Sequence, residues 1–245
     1  MDNPRRKRSG YLKAAVMPAG LLLLGIFLYR TAKYGLRYVL NGCPDSRDLP
    51  ALGELLTEKE YESCFFAYIR IVPIEPHYQI TRIDFEFDSF IAPETLIRES
   101  LEIRDITERY MQAHPEEFQE MRVRIEFHDK RDASPAYVRF LNFYEDSGSL
   151  SDSGRLVYGM FDLPGAEPEM LKHAGGFTEL RLLDFNYPDD FSAFDGMDSL
   201  RKLEFNNDQN SGTHDYPPEI LDAFAAKHPG CELSGSIRAS ERTSG

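Results

Sequence analysis

Two stretches of this chain match each other position by position. Leu180-Arg-Leu-Leu183-Asp-Phe185-Asn186 and Leu200-Arg-Lys-Leu203-Glu-Phe205-Asn206 both read L-x-x-L-x-F-N, with an offset of 20 throughout. A looser copy, Leu156-Val-Tyr-Gly159-Met-Phe161-Asp162, stands 24 residues upstream of the first. A helical run from Pro218 to Lys227 then leads into Cys231-Glu-Leu233, which reads as a fourth strand. A short unit that recurs at a fixed period cannot bury its apolar face alone, so copies stack and share an interior. The pattern therefore leads one to expect recurring strands over residues 155–236 that share an interior.

The motif resembles a leucine-rich repeat, whose usual form is L-x-x-L-x-L-x-x-N. The tail Phe224-Ala-Ala-Lys-His-Pro229-Gly-Cys231-Glu-Leu233 is similar to the closing repeat of that family, where a helix runs into a Pro-x-Cys-x-aliphatic strand. The chain departs from the family in two ways. The Asn follows the last apolar residue directly, and His228 stands where the last copy would open on Leu. The resemblance implies a short parallel β/α segment with a partner-binding sheet face. Alternation along each strand then sends Phe161, Leu183, Phe185, Leu203 and Phe205 inward. Tyr158, Met160, Asp162, Leu182, Asp184, Asn186, Lys202, Glu204, Asn206 and Glu232 are expected on the outward face, with Leu182 beside Tyr158 and Met160 as a small apolar hot spot. The competing readings are an ordinary α/β layer with coincidental spacing and a solvated face with no partner.

Upstream, residues 61–145 read as an α+β unit in ββαββ order. The strands are Ser63–Val72, Tyr78–Phe87, Arg122–His128 and Ala136–Tyr144. The second and third alternate apolar and charged residues, the mark of half-buried strands. Between them a helix runs from Pro93 to about His114, with Leu96, Ile103, Ile106 and Tyr110 on one stripe and Pro93 and Glu94 suited to its first turn. Asp146–Gly154, DSGSLSDSG, reads as a linker, and residues 237–245 as a disordered tail. The fold class expected is thus α/β: an α+β unit, then a leucine-rich-repeat-like segment, preceded by one transmembrane helix.

That last element comes from the amino terminus. Residues 1–13 form a basic tail, and residues 14–29, AAVMPAGLLLLGIFLY, contain no charge. A span needs about 20 apolar residues, with about 17 as the usual lower limit; Tyr11, Leu12 and Tyr29 extend this run at its interfaces. An uncleaved signal anchor in the lipid bilayer is the leading reading, with residues 30–60 as a juxtamembrane linker. The alternatives are a cleaved secretory signal, a lipoprotein signal ending at Cys43, and a buried helix. Basic residues before the span favour a cytoplasmic amino terminus at the cell membrane and an extracytoplasmic body. After residue 41 the chain holds 20 basic and 40 acidic residues, a net of -20. That charge argues against a nucleic-acid partner, because phosphate binding needs a basic face.

No phosphate-cradling, zinc-protease, C-x-x-C or nucleophile-elbow motif occurs. No catalytic residue, cofactor or metal ligand is assigned. His128-Asp129 and His214-Asp215 are adjacent pairs of a kind that seldom gives acid–base geometry. Asn206–Gly212 has oxygen ligands at alternate positions but lacks the Gly and Glu of a calcium loop. Asp189, Asp190, Asp195 and Asp198 suit helix amino termini and solvation. A Cys43–Cys64 bridge is conceivable outside the membrane, and Cys231 is expected free and inward. The function expected is a membrane-anchored binding protein rather than an enzyme. A hydrolase without a recognisable motif and an accessory subunit of a membrane complex are the alternatives, and a small-molecule ligand is left open.

Overall fold

Alternation does most of the building. In Arg82-Ile83-Asp84-Phe85-Glu86-Phe87 an extended backbone buries Ile83, Phe85 and Phe87 and turns the charged residues to the other side. The computed structural model describes residues 49–75, 78–87, 92–118, 121–129, 137–144, 146–152, 154–207 and 213–240. Its strands are β1 (Cys64–Glu75), β2 (Tyr78–Phe87), β3 (Arg122–Asp129), β4 (Tyr137–Leu141), β5 (Tyr158–Asp162), β6 (Glu179–Leu183), β7 (Lys202–Asn206), β8 (His214–Tyr216), β9 (Glu232–Gly235) and β10 (Ile237–Ala239). One eight-stranded sheet runs β1-β2-β3-β4-β5-β6-β7-β9, while β8 and β10 pair as a small parallel ribbon. β1–β2, β3–β4 and β4–β5 are antiparallel; β2–β3 and the run β5-β6-β7-β9 are parallel.

The helices are α1 (Pro50–Thr57), α2 (Pro93–Ala113), α3 (Pro115–Phe118) and α4 (Pro218–Lys227). Proline opens α1, α2 and α4, where its missing N–H costs nothing. Leu52 and Leu56 of α1, Leu96, Ile97, Ile103, Tyr110 and Met111 of α2, and Phe224 of α4 enter one core on one side of the sheet. Aromatic rings link the strands there: Phe85 stacks on Phe127 at 5.0 Å, and Phe140 meets Phe127 and Phe161 edge-on at 6.0 and 5.6 Å. Phe177 fits because residue 159 is glycine; a methyl there would lie 2.7 Å from its ring. The Arg104 guanidinium of α2 covers that ring at 4.4 Å. Glu99 ties α2 to the start of β1, accepting the backbone N–H groups of Glu62 (2.7 Å) and Ser63 (2.8 Å) and the Ser63 hydroxyl. Burial alone would raise the Glu99 pKa, but these donors outweigh it and hold the group below its ordinary value.

The expected fold class is corrected. Two successive units do not form, because β4 and β5 pair antiparallel from Tyr137↔Asp162 to Leu141↔Tyr158 and join both halves in one sheet. Residues 146–152, expected to be a linker, fold back on that join. The Tyr144 N–H donates to the Ser149 carbonyl at 2.9 Å, and the Phe143–Leu150 bridge sets both residues against Ile80, Leu141 and Tyr158. Burying that apolar group outweighs the flexibility its Ser/Gly/Asp composition suggests. Among the described residues no helix is long and apolar enough to cross a membrane. The anchor expected over residues 14–29 lies outside the described residues, as do Cys43 and most of the calcium-like loop. Cys64 is free and buried, and Cys231 is free and half-buried.

The strand register also differs from the offset of 20. Leu180 lies beside Leu203 and Leu182 beside Phe205, an offset of 23, while Phe161 lies beside Leu182 at 21. Moving from 20 to 23 is an odd step, and an odd step exchanges the two faces of a strand. Leu182 is therefore fully buried, and Leu183 is half-buried on the opposite face. Phe185 is nevertheless in the core. Asp184, at φ 57°, is left-handed and breaks the count of two between Leu183 and Phe185. Its N–H donates to the Asn206 carbonyl and its carbonyl accepts from Gly165, holding the kink.

Candidate functional site

The alternation that fills the core places charge on the other face. β2 and β3 each read Arg-Ile-acid-Phe, 42 residues apart, and their parallel register sets like beside like: Arg82 beside Arg124, Asp84 beside Glu126. Adjacent like charges destabilise a sheet, yet the Asp84 and Glu126 side chains are both only 3% exposed. Arg82 resolves the conflict by bridging them, with Nη2 2.8 Å from Asp84 Oδ1 and Nε 2.6 Å from Glu126 Oε2. From β4, Arg139 Nε reaches Glu126 Oε1 at 3.2 Å and donates to the Tyr137 hydroxyl oxygen at 2.7 Å, while the Tyr137 O–H donates to Glu126. Burial, then the Glu126 charge, pushes the Tyr137 phenol upward, so it remains a proton donor at neutral pH. Arg124 is held more loosely, with Nη1 3.6 Å from Glu126 Oε1.

The group has two levels. Asp84 and Glu126 form a buried floor. Arg82, Arg124, Arg139 and His128 form a rim, with side chains 26, 23, 22 and 34% exposed. His128 Nε2 stands 3.0 Å from both Asp84 Oδ1 and Arg82 Nη2. One ring nitrogen offers either a proton or a lone pair, so it serves one of these neighbours at a time.

The chemistry available is limited by the arginines. Ligand atoms of Asp84, Glu126 and His128 lie within 4.8 Å of one another, a donor set that suits a divalent cation. The Arg82 guanidinium already contacts all three and supplies the positive charge such an ion would bring. His128 and Asp84 are at hydrogen-bond distance, as a hydrolase would need, but the polar partners of His128 are Asp84, Arg82 and Glu126, with Tyr137 against its ring. Among the described residues none of these is a Ser, Thr or Cys nucleophile. Asp129, its neighbour in sequence, lies on the other face of β3.

The outward face continues across β5, β6 and β7. By alternation along β5 and β7, Tyr158, Met160, Asp162, Lys202, Glu204 and Asn206 share it. Arg181 Nε approaches Glu204 Oε1 at 3.3 Å, and the Asn206 amide donates to the same oxygen at 2.5 Å. Lys202 Nζ pairs with Asp146 at 3.0 Å, and that hydrogen bond raises the lysine's pKa. Tyr158, Glu179, Arg181, Lys202, Glu204 and Asp146 line a shallow cleft. The expected hot spot is corrected: Leu182 belongs to the core, and Tyr158 is itself buried with Ile80, Leu141 and Phe143, with Met160 against them. Asp184 makes the kink after β6. Asn186 is exposed beyond it, its amide 2.6 Å from Glu167 Oε1. Exposed Glu232 lies on β9.

Sequence reasoning missed Arg82, Asp84, Arg124, Glu126, Tyr137 and Arg139. The signal that could have found the first four residues is the Arg-Ile-acid-Phe repeat, which becomes telling once the two strands are known to be parallel and adjacent. The chain matches no family model, no curated protein and no solved structure.

Proposed function

We propose that the chain is a binding protein that holds a protein partner on the outward face of its mixed sheet. One observation carries this reading. The described helices send their buried residues into the core on one side, while the other side of β2 to β7, outside the apolar group around Tyr158, carries ordered charged, amide and aromatic side chains. The solvated pairs there, Arg181–Glu204 and Lys202–Asp146, contribute little to stability, about 0–1 kcal/mol each. A rigid, preformed polar surface does lower the entropy lost when a partner docks.

The test is photo-crosslinking in cells with the full chain. Benzoylphenylalanine replaces Met160 or Asn206 on the outward face. In separate chains it replaces Lys172, exposed beside the turn that carries Leu171 into the core. A discrete adduct from the first two positions and none from Lys172 is expected. Equal adducts from all three, or none, overturn the reading. The proposal includes attachment to a bilayer through residues 14–29. Retention in the membrane fraction after alkaline carbonate washing is expected, and release into the supernatant overturns that part.

A further inference from the structure

The rim over Asp84 and Glu126 points to the chemistry of the partner, an inference that rests on the binding reading above. The two carboxylates are buried and engaged, and what meets solvent above them is three guanidiniums and an imidazole. Counting Arg82, Arg122, Arg124 and Arg139 against Asp84, Glu86 and Glu126, the outward face of β2 to β4 carries one surplus positive charge even with His128 neutral. The chain as a whole carries -13. A cationic surface was therefore built into an acidic molecule, from arginines held in place by acids beneath them.

The floor contacts orient Arg82 and Arg139 before any ligand arrives, so less side-chain entropy is lost on binding. Arg124 is the least committed of the three. Among the described residues its ion pair is the 3.6 Å approach to Glu126, and its Nε is buried without a hydrogen-bond partner there, so the Nη groups are what it turns to solvent. Guanidinium forks match carboxylates in a bidentate manner. We propose that this rim takes a run of carboxylates, an acidic peptide segment of the protein partner.

The charge distribution favours that occupant over a nucleic acid. Screening at physiological salt acts over about 8 Å, so a short segment responds to the patch beneath it. A long polyanion also meets the acidic remainder of the chain. Single carboxylates suit a surplus of one charge better than phosphate dianions do. A divalent cation is disfavoured because Arg82 already occupies the space between its ligands.

The test measures fluorescence anisotropy of a labelled hexaglutamate peptide with the full chain, its Arg124→Gln and Arg124→Lys variants, and Lys172→Gln as a control away from the outward face. Hexaglutamate should bind the parent chain and Lys172→Gln alike. Arg124→Gln should lose about tenfold in affinity with an unchanged melting temperature, and Arg124→Lys should recover part of the loss. Absence of hexaglutamate binding, equal affinity in Arg124→Gln, tighter binding of hexalysine, or complete competition by inorganic phosphate at equal charge overturns the inference. Should hexaglutamate fail while crosslinks still come from the outward face alone, only this inference falls. Crosslinks from both faces would remove the binding reading itself.

Discussion

Replacing Leu182 with alanine distinguishes the observed register from the one its repeats suggest. Leu182 has no exposed surface and lies between Phe161 and Phe205 on neighbouring strands. The truncation removes three carbons, worth about 2.4 kcal/mol at about 0.8 kcal/mol each. Both neighbours are tied into parallel ladders, so they close on the gap only in part. The residual cavity adds about 24 cal/mol per Å³, bringing the loss to about 3–5 kcal/mol. Leu183→Ala removes the same carbons from a half-buried position on the opposite face and should cost about 1 kcal/mol. Urea unfolding of the parent chain and both variants measures the difference. A Leu183→Ala variant more damaged than Leu182→Ala would refute the offset of 23 and restore the 20-residue alignment.

Further outcomes follow from the core and its buried groups. Gly159→Ala should destabilise by about 1–3 kcal/mol, read by thermal melting, because Phe177 is fixed between Phe140 and Arg104 and cannot yield to a new methyl. The Glu99 carboxyl is held below its unfolded value, so its contribution is fully present above that value, about pH 4.3, and is lost as pH falls through the lower folded one. Glu99→Gln should therefore cost about 1–3 kcal/mol at pH 7, and the gap to the parent chain should narrow in melts below pH 4.3; a gap independent of pH would contradict this. Burial, then the Glu99 charge, pushes the Cys64 thiol up to about 12. Site-resolved mass spectrometry should find it alkylated on the order of a thousandfold more slowly in the folded chain than in urea at pH 8.

Local elements were legible in the residues. Alternation places β2 at Tyr78–Phe87, and the apolar stripe after Pro93 and the run after Pro218 place α2 and α4. Each of those signals repeats within a few residues, so each survives whatever the rest of the chain does. The candidate site was not legible in the same way. Asp84 and Glu126 look like any solvated acids on alternating strands until β2 and β3 lie parallel and set them side by side.

The residues alone determined where strands such as β2 and helices such as α2 and α4 lie, which residues are apolar enough to be buried, and that the body is acidic, because these follow from period, side-chain type and charge. β10 at Ile237–Ala239 lies where the residues suggest a disordered tail, because its pairing with the distant β8 orders it. Only the tertiary structure decided that both halves share one sheet, that Leu182 faces in, and that Arg82 joins two buried carboxylates. Strand neighbours and register are set by contacts between distant segments. A single left-handed residue, Asp184, was enough to shift the faces that a count along the chain assigns.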